Sequence, residues 1–269
     1  MCGATAARRI PLLSKLRIAD AAAAFSAVGF NVSEQKLNIG GINVELIGKG
    51  NQHSWAWKDG ISSTTEAKDL DGISTDVEGF EIFGQSLEFS RAPPHPNLAQ
   101  ALYSISLATP NLQRTLAVLS GSLGEPREVL KPTPEISMAL FKLGSPSGPV
   151  VVEVIAPSTA GTAMQMPGIA ADLDAPASIV GMVVVTPHLE HLSSLVGTER
   201  IGKIRPAMQG QGRLIAPMVQ GEAGTGDGLA LGLAFMTPPN QAALQSTAKS
   251  GSGKGLSTML STSRGPSSL

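Results

Sequence analysis

The chain of 269 residues is 42% hydrophobic and only 15% charged, and its formal net charge is −1. A nearly neutral chain has no long-range field to attract nucleic acid or an anionic membrane, and no basic block alternates with aromatic residues, so we expect neither partner. The single cysteine excludes an intrachain disulfide framework and a cysteine-rich zinc site, and no apolar run approaches the roughly 20 residues of a membrane helix.

The N-terminal region supports two interpretations. Its first 19 residues contain four basic residues and no acidic residue, which is typical of an organelle transit peptide. The stretch IPLLSKLRIADAAAAFSAVGFNVSEQKLNIGGINVELIG, which begins at Ile10, instead predicts a strand, an alanine-rich helix ending near Gly29, and short strands. The single cysteine suits a reducing compartment, so we expect a cytoplasmic protein, with organelle import as the alternative.

The segment that follows, up to residue 95, is too short for another full copy of this pattern. Its end, FEIFGQSLEFSR, predicts a hairpin, which we interpret as part of a degenerate copy. The stretch RAPPHPN, residues 91–97, contains three prolines, which remove backbone donors and interrupt regular structure. We therefore predict a boundary there, with one or more degenerate modules in residues 1–95.

Two segments in residues 96–240 repeat one another. LATPNLQRTL, starting at Leu107, aligns with VVTPHLEHLSSL, starting at Val184. In each copy an apolar strand leads to a threonine, Thr109 or Thr186, which we predict as the helix N-cap, followed by proline. Each predicted helix ends at a glycine, and three strand-like runs follow, so each copy reads strand, helix, strand, strand, strand.

The C-terminal segment, residues 241–269, is rich in serine, glycine and threonine. Such a composition cannot bury enough apolar surface to offset the entropy of ordering the chain. We predict that this tail is disordered.

The stretch SLATPNLQRTLAVLSGSLGEPR resembles the opening of a module of the vicinal oxygen chelate superfamily. That superfamily includes glyoxalase I, extradiol dioxygenases, methylmalonyl-CoA epimerase and bleomycin-resistance proteins. The resemblance implies an α+β fold in which paired βαβββ modules form curved mixed sheets around a cavity. The repeat agrees with it, because a single module leaves an open apolar face that a second module must cover.

The resemblance also implies where a metal would be held. In metal-containing members a His or Gln lies near the start of the first strand, and a Glu lies in the fourth strand of a module. Ser104 and Gly181 stand at the first-strand positions, and Glu153 and Ala234 stand at the fourth-strand positions. Only Glu153 is a ligand type, so we predict no metal and no other cofactor, and Ser104, Gly181 and Ala234 become cavity-lining candidates.

Glu153 itself has two interpretations. In VVVEVIAP it is either a residue on the solvated face of a strand or a cavity carboxylate. An inward-facing acid in so apolar a strand would have a raised pKa, which suits a catalytic base. In the N-terminal copy Glu45 stands at the same position and is a further cavity-lining candidate, with Pro11 where the His would be, and Glu88 has a similar context.

A strand register wrong by one residue would reverse the metal prediction, because every inward side chain would then face outward. The ligands of a divalent metal would in that case be sought among the acids above and the four histidines, which are His53, His95, His188 and His191. HLEH, at 188–191, has two imidazoles one helical turn apart but no evident third ligand.

Several functions remain open from the sequence, and whether the chain is an enzyme is not decided by it. The leading hypothesis is a glyoxalase-like protein with a small-molecule cavity, without the usual metal centre, and with lyase- or isomerase-type activity. The alternatives are a non-catalytic protein that binds or sequesters a small molecule, a structural copy that acts as a homodimer, and a metal-dependent glyoxalase or dioxygenase. The expected partner is a small-molecule ligand or substrate.

Overall fold

The computed structural model of the chain describes residues 10–58, 66–78, 94–159, 172–219 and 229–240. Within these ranges it contains fourteen strands, which form two sheets, and three helices. No helix among them is long and apolar enough to cross a membrane. The start of the chain through residue 9, the predicted hairpin with Glu88, and the predicted disordered tail at 241–269 lie outside the described residues.

The first sheet has six strands in the order β2-β3-β1-β4-β6-β5. Its elements are β1 (Leu12–Ile18), α1 (Ala22–Ala27), β2 (Lys36–Ile39), β3 (Ile42–Leu46), β4 (Ser54–Lys58), β5 (Glu66–Leu70) and β6 (Ile73–Glu78). β1 runs parallel to β3, β4 runs parallel to β6, and the two halves meet where β1 and β4 pair antiparallel. β1 occupies the stretch for which a first strand was predicted.

The second sheet has eight strands in the order β12-β13-β14-β11-β7-β10-β9-β8. One half contains β7 (Ala101–Ala108), α2 (Leu112–Leu123), β8 (Glu128–Thr133), β9 (Ile136–Leu143) and β10 (Val150–Pro157). The other contains β11 (Ser178–Val185), α3 (Leu189–Val196), β12 (Arg205–Pro206), β13 (Leu214–Pro217) and β14 (Gly232–Met236). In each half the first strand pairs parallel with the fourth, and the halves meet through antiparallel β7 and β11. The predicted paired βαβββ fold with curved mixed sheets is confirmed.

The helices α2 and α3 begin two residues later than the sequence predicted. The N-cap of α2 is Asn111, whose side chain accepts a hydrogen bond from the Arg114 N–H at 3.1 Å, and the N-cap of α3 is His188. Thr109 and Thr186 are instead fully buried before the helices, and Thr109 Oγ1 accepts a hydrogen bond from the Asn111 N–H at 3.1 Å. The predicted helix ends at Gly124 and Gly197 are confirmed; both C-caps have positive φ.

The central strands of the second sheet have one face on a core and one face away from it. In β10 the core face carries Val150, Val152 and Val154, which are fully buried, while Glu153 lies on the opposite side. α2 packs over this core face. The side chains of the core face belong to one large hydrophobic cluster, which also contains residues of the first sheet. We call the opposite side of the second sheet its open face.

Polar contacts also join the two sheets. Asp20, fully buried after β1, accepts hydrogen bonds from the backbone N–H groups of Ala230 and Leu231, just before β14. Arg114 of α2 forms an ion pair with Asp71 in the β5–β6 turn, at 2.7 Å. Because polar groups that are buried need partners, these contacts fix the sheets relative to one another.

Residues 94–97, at the end of the proline-rich stretch, are anchored through His95. The Asn31 N–H donates to His95 Nδ1 at 3.0 Å, and His95 Nε2 lies 2.8 Å from Asn38 O, to which it must donate. This arrangement needs a neutral imidazole, because protonated Nδ1 cannot accept. Burial lowers the pKa of His95, and its bond to the Asn38 carbonyl opposes that change.

We expect His95→Ala to lower the free energy of unfolding at pH 7.5 by about 2–4 kcal/mol, because two backbone groups lose their partner. His95 binds fewer protons folded than unfolded, so its contribution is present above the unfolded pKa near 6.5 and is lost as the pH falls below it. Denaturant unfolding at pH 7.5 and 5.5 measures both effects. His188→Ala, at an exposed histidine, should change little; an equal loss in both variants would contradict this account.

Candidate functional site

Four residues form a row across the middle of the open face. Glu153 in β10 pairs with Ser106 in β7, Ser106 pairs with Gly181 in β11, and Gly181 pairs with Gly232 in β14. Side chains at directly paired positions project from the same side of a sheet. One carboxyl group, one hydroxyl group and two positions without side chains therefore lie next to one another.

The negative charge of the Glu153 carboxylate is balanced by hydrogen bonding alone among the described residues. Ser106 Oγ donates to Glu153 Oε2 at 3.1 Å, and no cation forms an ion pair with Glu153 in the part of the chain that is described. Burial raises the pKa of Glu153, and the hydroxyls of Ser106 and Ser104 oppose that rise. A carboxyl group in this state accepts a proton more readily than a solvated one.

The two glycines open a pocket beside Ser106. Its volume is about 420 Å³, and its lining includes Ser106, Gly181, Val183, Pro217, Gly232 and Ala234. A Cβ at Gly181 would come within 3.2 Å of Gly232 O and 3.6 Å of Ser106 Cβ, so a side chain there would fill the space. Ser106 is the polar side chain that lies both at the pocket and against Glu153.

We expect Gly181→Val to close the pocket. The added side chain should abolish binding of any ligand that enters beside Ser106, and overpacking should cost roughly 1–3 kcal/mol of stability. Gly181→Ala is the graded control, because it adds only the tightly placed Cβ. Binding measured by NMR on both variants tests the pocket, and unchanged affinity in Gly181→Val would place the ligand elsewhere.

A tyrosine and an arginine lie on the same face. Tyr103 packs with Val183, Ala234 and Met236 in a second, smaller hydrophobic cluster, and the guanidinium carbon of Arg213 lies 5.0 Å from the centre of its ring. Burial raises the pKa of Tyr103, the charge of Arg213 lowers it, and the charge of Glu153 raises it again. The pKa of Tyr103 therefore depends on the charges of both Arg213 and Glu153.

Four of the site residues proposed from the sequence lie on the open face, but only some of them line the pocket. Glu153, Ser104, Gly181 and Ala234 all lie on the open face, and Gly181 and Ala234 line the pocket. Ser104 lies in the next row, paired with Val183, and its hydroxyl is buried. Their roles remain predictions.

Glu45 lies on the first sheet, where its environment differs from that of Glu153. Its strand neighbour is Arg17, which forms ion pairs with Glu45 at 3.4 Å and with Asp76 at 3.0 Å. The registers place Arg17 where the second sheet has Ser106. They also place Lys15 where the second sheet has Ser104, so the sequence alignment of Pro11 with that position was wrong by four residues.

Comparison with known proteins rests on structure, because no family model matches the chain and no curated protein matches it. A crystal structure of BphC, a halotolerant catechol dioxygenase, superposes with a TM-score of 0.52 at 9% identity, over 86% of this chain and 87% of that one. The chain has the vicinal oxygen chelate fold.

Other solved structures match only part of the chain, with lower TM-scores. Methylmalonyl-CoA epimerase from Mycobacterium tuberculosis has a TM-score of 0.37 at 13% identity, over 55% of this chain and 94% of that one. A hypothetical protein, BH1468 from Bacillus halodurans, has a TM-score of 0.36 at 16% identity, over 52% of this chain and 95% of that one.

The vicinal oxygen chelate fold implies a divalent metal, but the donors on the open face do not fit one. Glu153 is surrounded by hydroxyls, glycines and aliphatic side chains, and a lone carboxylate leaves most coordination positions unfilled. No group of three or more His, Cys, Asp or Glu residues that could hold a metal occurs in the described ranges. Absence of a metal from the protein itself stays a prediction.

The four histidines do not form a metal site with one another. His53 Nδ1 accepts from the Ala19 N–H at 3.0 Å, and burial lowers its pKa while Asp20 opposes that change. His95 bonds the Asn31 N–H through Nδ1 and the Asn38 carbonyl through Nε2. In HLEH, His188 is the N-cap of α3, and His191 Nε2 lies 2.9 Å from Pro96 O.

Proposed function

We propose that the chain binds a small organic molecule in the pocket of the open face, and that Glu153 and Ser106 transfer a proton to and from it without a metal ion. The observation that carries this proposal is the Ser106 hydroxyl, which lies at the pocket and donates to a partly buried carboxyl group whose pKa is raised. A raised pKa brings a carboxyl group closer to the pH at which general bases work best.

The proposed step is a proton relay. A carbon-bound proton of the ligand passes to Ser106 Oγ while the Ser106 hydroxyl proton passes to Glu153 Oε2, and the electron pair of the broken C–H bond remains on the ligand. Return of a proton at another position completes an isomerisation, and loss of a leaving group completes an elimination. Lyase- and isomerase-type reactions therefore both start from the same step.

A second function is favoured by a different observation. Apart from Ser106, the side chains named at the pocket are aliphatic or absent, which suits binding of an apolar molecule without reaction. In that case the protein would sequester its ligand, and Glu153 would only affect affinity. Metal-dependent glyoxalase or dioxygenase activity has no comparable support from the side chains of the open face.

The experiment that separates these functions is deuterium exchange from solvent. The purified protein is incubated in D₂O with a panel of carbon acids, namely 2-substituted carboxylic acids, ketones and thioesters, and exchange is followed by NMR and mass spectrometry. We expect exchange in at least one compound, unaffected by chelators. Saturable binding without exchange would support sequestration instead.

We also propose the division into residues 1–95, 96–240 and 241–269, a cytoplasmic location and a homodimer. The sheets support the first boundary, because one is built from residues 12–78 and the other from residues 101–236. The shared hydrophobic cluster suggests that neither part is stable when expressed alone. Co-expression of 1–95 and 96–240 as two chains, which should assemble into one folded complex, tests the division, and sedimentation of the full chain tests the dimer.

A further inference from the structure

We infer that the ligand of this site carries a carboxylate group, and that the guanidinium group of Arg213 binds it. This inference rests on the proposed function, because it assumes that a ligand enters the open-face pocket. It adds the chemical class of the ligand and a residue that determines specificity.

Arg213 is held in place but has no anionic partner among the described residues. Its backbone belongs to the β12–β13 hairpin, where the Arg213 N–H donates to Gly210 O at 3.2 Å and its carbonyl accepts from the Ala207 N–H at 3.0 Å. Its Nε is buried and has no hydrogen-bond partner in the described part of the chain, and no ion pair involves it there. A buried donor of a charged group without a partner is unfavourable, and an anion would satisfy it.

Arg213 lies beside the pocket, although neither Arg213 nor Tyr103 belongs to the pocket lining. Arg213 lies over Tyr103, and Tyr103 packs with Val183 and Ala234. Val183 and Ala234 also line the pocket beside Ser106. The arginine and the Ser106–Glu153 pair therefore lie on one face of the sheet, with the aliphatic wall of the pocket shared between them.

The chemistry of the site favours a carboxylate over other anions. A guanidinium group presents a planar fork of donors that matches a carboxylate in two parallel hydrogen bonds. A ligand with several phosphates would need more cations than the one guanidinium group stacked on Tyr103. The aliphatic wall suits an apolar body attached to the anion, and repulsion from Glu153 would orient the carboxylate toward Arg213.

Tyr103 supplies a specific spectroscopic probe, since it is the only tyrosine of the chain. Protein labelled with ¹³Cζ-tyrosine gives one resonance, which is followed during titration with benzoate, with benzamide and with inorganic phosphate. We expect benzoate to shift the resonance saturably. Benzamide has the same ring without the charge, and phosphate has the charge without the planar carboxylate, so both should bind at least about tenfold more weakly.

Variants then test the role of Arg213. Arg213→Gln should weaken benzoate binding about tenfold or more, and Arg213→Lys should restore part of it, because the charge returns without the fork. Arg205→Gln is the matched control, since this exposed arginine lies in the same hairpin, and it should change the affinity less than about twofold. Arg213→Gln should also raise the pKa of Tyr103, because a neighbouring cation is removed.

The outcomes separate this inference from the proposed function. Benzoate binding that is unchanged in Arg213→Gln, or phosphate binding as tight as benzoate binding, overturns the inference and leaves proton transfer at Glu153 standing if deuterium exchange persists. Loss of benzoate binding in Arg213→Gln alone, with the fold intact by circular dichroism, supports the inference. Failure of every probe to bind, together with absence of deuterium exchange, overturns both.

Discussion

Replacing Glu153 by glutamine should stabilise the protein at neutral pH and abolish deuterium exchange. The folded-state pKa of Glu153 is raised, so the folded protein holds its proton more tightly than the unfolded chain does. Stability contributed by this group is therefore present below the unfolded pKa and is lost as the pH rises through the folded pKa. Glutamine keeps the shape and the neighbouring Ser106 hydroxyl but carries no charge, so the gain should be about 1 kcal/mol above the folded pKa and near zero at pH 4.

Glu45→Gln is the matched control for this prediction. It makes the same change at the equivalent strand position of the first sheet, where Arg17 forms an ion pair with the carboxylate. We expect a loss of less than about 1 kcal/mol at neutral pH, because partly exposed ion pairs contribute little. Urea unfolding of both variants at pH 4, 6 and 8 compares them. A Glu153→Gln variant that is destabilised at pH 8 would mean that the carboxylate is well solvated or paired.

Ser106→Arg should strongly reduce proton transfer at Glu153, because it reproduces the arrangement found in the first sheet. Arg17 occupies the position of Ser106 there and pairs with Glu45, so an arginine introduced at 106 should pair with Glu153. The pKa of Glu153 should then fall, since a nearby cation favours the carboxylate. We expect loss of at least about 100-fold in the rate of deuterium exchange, because a general base and its relay are removed together.

Bulk and charge must be separated in this experiment. Ser106→Met fills similar space without a charge, so it should block the pocket but leave the pKa of Glu153 raised. Arg17→Ser, in the first sheet, should leave ligand binding at the second sheet unchanged. If Ser106→Arg and Ser106→Met give the same pKa for Glu153, the proposed equivalence of the two sheets is wrong.

The fold was accessible from the sequence because its signals are local and repeated. The apolar strand, the proline at the start of a helix and the terminal glycine occur in both copies, and Gly124 and Gly197 end their helices as expected. Helix starts were predicted less well: threonine and asparagine are both good N-caps, and in α2 it is the Asn111 side chain that accepts the hydrogen bond of the first turn. Likewise, the first of the three strand-like runs predicted after the second helix, RIGKIRP at residues 200–206, forms a strand only at Arg205–Pro206.

The site was only partly accessible. Glu153 was found because an acid in an apolar strand is conspicuous, and Gly181 because it aligned with a ligand position. Ser106, which contacts Glu153, was missed although it follows Ser104 by two residues and so shares its face. Arg213 and Tyr103 are 110 residues apart in the chain, and Asp20 and Ala230 are 210 residues apart. Contacts of that kind follow from how the sheets curl and pack, and a single sequence carries no signal for them.

The most direct test of the account is the titration of the Glu153 carboxyl carbon by ¹³C NMR, with the resonance assigned by its absence from Glu153→Gln. We expect Glu153 to titrate above its ordinary value of 4.5, and we expect benzoate to move the resonance in the wild-type protein but not in Gly181→Val. Titration at or below 4.5, with no response of the resonance to any compound of the panel, would contradict the central claim that this carboxyl group is partly buried beside a ligand-binding site.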